Sequence, residues 1–291
     1  MAISSINFGN NRFIKNSAKT NLNLVNPNSS NSESIPQYNT KNEPIAFYGK
    51  DLVNNNKNSE VIPQELKVLF DNIKDKNGKD FANAAYKGLL KYYKIDNIAP
   101  ELEWNTTAKT APANTVSDYA WYKNKVILYE NLFLNSGKTK EEQFGFIAHE
   151  ITHMRQLINV MRTADLPLTK VATAFAIFDF SSNLRSNPIM QKQYMQAKLN
   201  GKEKEYTVFI IKQLAQKNYK ELGEAFKDIL QLPKHPLNSP NGQKALRDLD
   251  SWSKYNSSNW ETYSNILVEK EAMDEENKMR TMFRLYQNTA Q

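Results

Sequence analysis

The sequence predicts a predominantly helical α+β fold in which one small sheet packs on a long central helix. Three observations lead there. From Pro63 onward, apolar residues recur mostly at three- and four-residue spacing, the period of a helix. Between about residues 100 and 131 the pattern changes to strand-like runs rich in Trp, Tyr, Val and Ile. Thr139 followed by Glu142 then forms a capping box that opens the most regular periodic segment.

In chain order, residues 1–60 are dominated by Asn and Ser, as in NLNLVNPNSSNSES. So few apolar residues cannot offset the ordering entropy, so this stretch is expected to be a disordered tail before a domain spanning 61–291. PQELKVLFDNIKDK and KDFANAAYKGLLKYYKI predict two helices. PELEWNTTA predicts a strand. AWYKNKVILYENLF, alternating about Lys123-Asn124-Lys125, predicts a hairpin or a strand with a sharp edge. Phe144, Ile147, Ile151, Met154, Ile158 and Met161 predict a helix from about Lys140 to Arg162. Further helices are expected in TKVATAFAIFDF, MQKQYMQAKL, EYTVFIIKQLAQK and KELGEAFKDILQL, broken by Asn-Pro, Gly and a KHPLNSPNG loop. Together they make a helical insertion over about 163–257. Ser258 with Glu261 is a second capping box and opens a last helix, WETYSNILVEKEAMDEENKMRTMFRLY.

Composition narrows the chemistry. The 291 residues include no cysteine, so disulfides and thiolate metal sites are excluded and any metal must be held by His, Asp or Glu. The net charge of +7 comes from Lys and Arg interspersed with Asp and Glu, so no nucleic-acid footprint is expected. No window approaches ~18 consecutive apolar residues, so no membrane span is expected. The opening MAISSINFGNNRFIKN lacks the apolar run of a secretory signal. A soluble protein follows, cytoplasmic by default, with signal-less export left open. No phosphate-binding Gly-rich loop is present, which argues against a nucleotide enzyme.

The chain contains three histidines, and two of them lie in His149-Glu150-Ile151-Thr152-His153. Four residues apart on a helix, both imidazoles project from one face about a turn apart, the spacing at which two nitrogens meet one tetrahedral Zn²⁺. Glu150 lies one residue further round, beside the remaining coordination position, where a carboxylate can take a proton from water. The plain alternative is a helix carrying two surface histidines and a solvated glutamate. A zinc site of this kind needs a third protein ligand. Position 159, where one large class carries a histidine, is Asn, and the nearby downstream carboxylates are Asp165 and Asp179. The acidic cluster of the last helix, Glu269-Lys270-Glu271-Ala272, offers two candidates, and on a helical wheel Glu271 lies nearer the apolar face than Glu269.

At His149–His153 and Glu269–Ala272 the sequence resembles the gluzincin metallopeptidases, which pair HExxH with E-x-E-A or E-x-x-A-D on a later helix. The resemblance covers roughly residues 100–160 and 258–290, and departs from the pattern at Met273, where Asp or Asn is common. It implies a zincin-like fold and one Zn²⁺ per chain held by His149, His153 and Glu269. It also implies Glu150 as general base in peptide-bond hydrolysis, and Ala272 as the small residue that lets two helices approach. The strand ahead of the motif helix, within 119–131, would bind a peptide or protein substrate by strand addition. The alternative function is a non-catalytic interaction module on the same fold. His235, between two prolines, is expected as an exposed loop residue and Tyr122 and Tyr263 as core or rim aromatics, with polarising a substrate oxygen the alternative role for each. Gln156 reads as a cleft or rim residue, and the four tryptophans as ordinary core and rim aromatics. Oligomeric state is not legible.

Overall fold

In the computed structural model, residues 61–105, 117–130, 137–253 and 266–289 are described. The expected tail, the Ser258–Glu261 capping box, Tyr263 and Trp260 lie outside them. Eight α-helices and one three-stranded sheet make a predominantly helical α+β structure among the described residues. The helices are α1 (Gln64–Ile73), α2 (Gly78–Tyr92), α3 (Lys140–Met161), α4 (Leu168–Ser186), α5 (Pro188–Leu199), α6 (Glu203–Ala225), α7 (Pro240–Ser253) and α8 (Leu267–Thr289). The strands are β1 (Glu103–Asn105), β2 (Ser117–Ala120) and β3 (Lys125–Tyr129).

The helix expected from Lys140 to Arg162 is α3. Its Thr139 hydroxyl accepts from the Glu142 amide while the Glu142 carboxylate accepts from the Thr139 amide, so the capping box is complete. Sixteen of its 22 residues are buried, so α3 is surrounded rather than laid on a surface. On one side α8 crosses it closely. A Cβ at Gly145 would lie 2.4 Å from Arg280 Cγ, and Ala272 on α8 is fully buried. An aromatic group of Phe70, Phe144 and Phe283 pins α1, α3 and α8 together, with Phe144 stacked on Phe283 at 5.4 Å.

The sheet order is β1-β3-β2, with β1 parallel and β2 antiparallel to β3. The turn falls at Lys123-Asn124-Lys125 as expected. Asn124 adopts the left-handed conformation (φ 50°, ψ 49°), which Asn tolerates better than most residues. One expectation is corrected here. The segment 119–131 is not a single edge strand: β3 is the central strand, paired with Glu103–Asn105 on one side and Ser117–Ala120 on the other. The edge beside α3 is β2.

Two other boundaries shift. EYTVFIIKQLAQK and KELGEAFKDILQL join into one helix, α6, with a short 3₁₀ turn following at Ile229–Gln231. No Pro or Gly separates them, and Asn218 at the join is buried and donates to Asp179 Oδ2 at 2.8 Å. The loop at KHPLNSPNG is cut short because Ser239-Pro240 starts α7. The Ser239 hydroxyl accepts from the Gly242 amide at 3.1 Å, and Pro occupies the first turn, where its missing N–H costs nothing. No described helix is long and apolar enough to cross a membrane.

The α4–α6 contact carries a pH-dependent element. Burial of Asp179 raises its pKa from 3.8 to about 7, against the lowering effect of the Asn218 hydrogen bond. Asp179 Oδ1 and Asn218 Oδ1 both lack hydrogen-bond partners among the described residues, the arrangement a carboxylic acid tolerates better than a carboxylate. Between pH ~4 and ~7 the folded state binds a proton that the unfolded state has released, so this residue's contribution falls as pH rises. Asp179→Asn is expected to raise stability above pH 7 by a few kcal/mol, on the order of the raised pKa. It should also flatten that decline in denaturant titrations run from pH 4 to 8. Identical slopes in variant and parent would exclude Asp179 as its source.

Candidate metal centre

His149 and His153 face the same side of α3, and their Nε2 atoms lie 3.2 Å apart. Glu269, in the first turn of α8, meets them: Oε1 is 3.5 Å from His149 Nε2 and Oε2 is 3.2 Å from His153 Nε2. One donor atom from each of the three residues falls within 4.8 Å of the others, so the trio is placed to hold a metal ion. Glu269 is 2% exposed and His149 7%, while the His153 side chain at 13% is the most open of the three.

The donor set is of the size a small divalent ion needs. Bonds of 2.0–2.1 Å in a tetrahedral site place neighbouring ligand atoms ~3.3 Å apart; the two imidazole nitrogens lie 3.2 Å apart, and each has a different Glu269 oxygen at 3.5 or 3.2 Å. The charge also fits. The buried Glu150 and Glu269, with Glu276, which also pairs with Arg280 at 3.4 Å, bring three carboxylates around His149, a surplus of negative charge that a bound cation would offset. Burial opposes charging of the His149 ring, but the Glu276 contact and the nearby Glu150 and Glu269 outweigh it. The His149 pKa rises from 6.5 to about 9.

Each imidazole is also held from behind. His149 Nδ1 lies 3.2 Å from Glu276 Oε2. Glu269, Ala272 and Glu276 fall at i, i+3 and i+7, one face of α8, with the buried Ala272 between the two acids. His153 Nδ1 lies 3.0 Å from Gln156 Oε1. An amide oxygen only accepts, so His153 carries its proton on Nδ1 and directs an Nε2 lone pair toward the trio. The Gln156 amide nitrogen donates to the Val268 carbonyl at 3.0 Å and to Glu271 Oε2 at 3.1 Å. Lys244 on α7 donates to Glu271 Oε2 at 2.6 Å and to Asp248 at 2.9 Å. Burial raises the Asp248 pKa from 3.8 to about 7, with Lys244 pulling it back.

Glu271, the alternative third ligand, is therefore turned to Lys244 and Gln156 and is not a member of the trio. Gln156 is 2% exposed, a buried bridge rather than a rim residue. Glu150 lies beside the trio and its Oε1 accepts from Ser117 Oγ, on β2, at 2.8 Å. Burial above all raises the Glu150 pKa above 4.5, with His149, His153 and the Ser117 hydrogen bond opposing. A base moved toward neutrality is better matched to proton transfer near pH 7.

The other candidates lie elsewhere. His235 is bridged to Thr163, its amide donating to the Arg162 carbonyl at 2.6 Å. Nine residues separate Arg162 from His153, about 14 Å along the helix at the usual rise, so His235 does not reach the trio. Tyr122 packs edge-on against Trp121. Asn159 donates to the Asn241 carbonyl, and Asp179 sits in the α4–α6 contact. Sequence reasoning missed Ser117, Glu276 and Lys244. The seven-residue spacing from Glu269 was the available signal for Glu276; none marked Ser117 or Lys244, whose positions depend on sheet pairing and on the packing of α7.

Comparison with protein-family models, curated proteins and solved structures finds no match to this chain.

About one divalent metal ion per chain is expected by mass spectrometry of the purified protein, and none in His153→Ala. Gln156→Ala, which loses the His153 hydrogen bond, and Glu276→Gln, which loses the carboxylate charge beside His149 Nδ1, should each keep the stoichiometry but weaken metal affinity by ~10–100-fold in competition with a chromophoric chelator. Parent-like affinity in both variants would remove these residues from the metal centre.

Proposed function

We propose that this chain is a zinc-dependent peptidase of the gluzincin kind, built on a zincin-like fold, with His149, His153 and Glu269 holding the ion and Glu150 as general base. One observation carries the reading. Glu269, remote in sequence, reaches the two histidine Nε2 atoms at 3.2–3.5 Å, while Glu150 stands beside them outside the trio. An incidental pair of histidines has no reason to draw a buried carboxylate across a helix interface at that spacing.

A zinc ion bound there supplies Lewis acidity, lowering the pKa of water toward ~7 and polarising a carbonyl. The chain's own groups do the rest. Ser117 occupies Glu150 Oε1, which holds the carboxylate in one orientation and leaves Oε2 to take a proton from the attacking water. Glu150 then returns that proton to the leaving amine. Its raised pKa favours both transfers over a permanently ionised surface glutamate. Glu276 and Gln156 keep the two imidazoles from rotating, so the ligand nitrogens need not be reordered in each cycle.

Substrate would lie along β2. Among the described residues this strand pairs with β3 on one side only, and its first residue, Ser117, touches Glu150. An extended peptide added to that edge by main-chain hydrogen bonds would run past the base.

Hydrolysis of an unstructured protein substrate such as casein, or of a peptide library, is expected to fall by at least ~100-fold in Glu150→Gln, the typical contribution of a general base. Zinc content should stay unchanged. Equal cleavage by parent and variant at equal zinc content would sink the peptidase reading.

A further inference from the structure

Two properties sparse over the other described residues meet on the α5–α6 hairpin. The first is exposed apolar surface. Of the eight large hydrophobic side chains most exposed among the described residues, six stand here: Ile189, Met195 and Leu199 on α5, and Val208, Phe209 and Tyr219 on α6. Leu199, beside the tight turn at Gly201 (φ 70°), is 79% exposed. The second is charge. From Arg185 to Lys220 the sequence holds eight basic residues and two acidic ones, a net +6 against +7 for the whole chain. One of the two acids, Glu203, accepts from the Tyr194 hydroxyl within the hairpin.

On each of the two helices the exposed apolar side chains and the lysines lie on the solvent side. Tyr194 packs against Phe180 and Tyr206, which turns one side of α5 inward and leaves Met195, Lys198 and Leu199 exposed. On α6, Val208, Phe209, Lys212, Tyr219 and Lys220 follow a helical stripe away from the buried Asn218 and Leu222. Among the described residues, no ion pair engages Lys192, Lys198, Lys202, Lys204, Lys212 or Lys220.

Each candidate occupant of this face must satisfy both properties. A second copy would set net +6 against net +6 in a self-complementary contact, which like-charge repulsion opposes. Residues 1–60 carry six basic and four acidic residues, the wrong sign to complement the hairpin. A nucleic acid would use the lysines but leave the aliphatic side chains in water. A bilayer bearing anionic headgroups satisfies both, because its interface takes apolar side chains to a shallow depth while lysines meet lipid phosphates.

We propose that the α5–α6 hairpin docks on an anionic phospholipid surface. Leu199, Val208 and Phe209 enter the headgroup–acyl boundary, and Lys198, Lys202, Lys204 and Lys212 lie against the phosphates. The hairpin contributes no residue to the metal centre, so this docking stands or falls independently of the peptidase reading.

Vesicle co-sedimentation of the full chain tests it, using phosphatidylcholine alone and phosphatidylcholine mixed with phosphatidylserine. Binding is expected to the mixed vesicles only, declining as salt is raised. The charge variant Lys198→Glu/Lys202→Glu/Lys204→Glu should bind at least ~20-fold more weakly, given the usual contribution of each lysine near such a surface. The apolar variant Leu199→Ser/Phe209→Ser should lose ~10-fold or more. All five side chains are exposed, and unchanged helical circular dichroism and zinc content would show that the fold persists. Equal binding to both vesicle types, or to neither, overturns the proposal. So does a parent dimer in sedimentation velocity that Leu199→Ser/Phe209→Ser dissolves, which assigns the face to a second copy. Binding to polyglutamate as tight as to the mixed vesicles also overturns it, in favour of an acidic protein partner.

Discussion

Burying Glu150 and Glu269 beside two imidazoles obliges α3 and α8 to pack in one register. At 2% exposure neither carboxylate has water to solvate it, so each must find its partner within the protein or in a bound cation. A slip of α8 by one residue would rotate Glu269 by about 100° around the helix and strand a buried charge. The surrounding packing removes that freedom. Gly145 admits Arg280, Ala272 sits between the two acidic turns, and Phe283 stacks on Phe144. The small residues set the approach and the aromatic contact sets the rotation. The sheet, α1 and α7 are arranged around this one helix pair.

Support for the trio comes from three directions, each through a different kind of group. Glu276 reaches His149 along α8 itself. Gln156 reaches His153 along α3 and is anchored to the Val268 carbonyl, which ties the bridge to the start of α8. Ser117 reaches Glu150 from the edge strand. Behind Gln156, Lys244 joins Glu271 to Asp248, and the Glu271 contact stops the amide from flipping. A metal ligand oriented by a neutral amide keeps its tautomer without adding charge to the centre.

What was legible in the sequence was local. The limits of α3 followed from Thr139, Glu142 and a clean helical period, because a capping box needs nothing beyond the helix it caps. The turn at Lys123-Asn124-Lys125 was legible for the same reason, though its left-handed Asn124 was not foreseen. What was not legible depended on distant pairing. Whether β3 is central or at an edge rests on Glu103 pairing with Ile127, which no period within 119–131 records. The wheel placed Glu271 nearer the apolar face, yet the structure turns Glu269 to the histidines. The face α8 offers to α3 is chosen by Ala272, Met279 and Phe283 over several turns, and Lys244, on another helix, claims Glu271. The two segments merged into α6 because no Pro or Gly lies between them and Asp179, from another helix, holds the buried Asn218 at their join.

The separation between Glu269 and the histidines has a consequence for synthesis on the ribosome. His149, Glu150 and His153 emerge while α7 and α8 are still unmade, so for that interval the emerging polypeptide holds two ligands and no third. Two imidazoles alone grip a divalent cation weakly, and the Glu276 that steadies His149 arrives later still. The trio is therefore completed only as α8 docks, and any damage that detaches α8 takes it apart without touching the motif on α3.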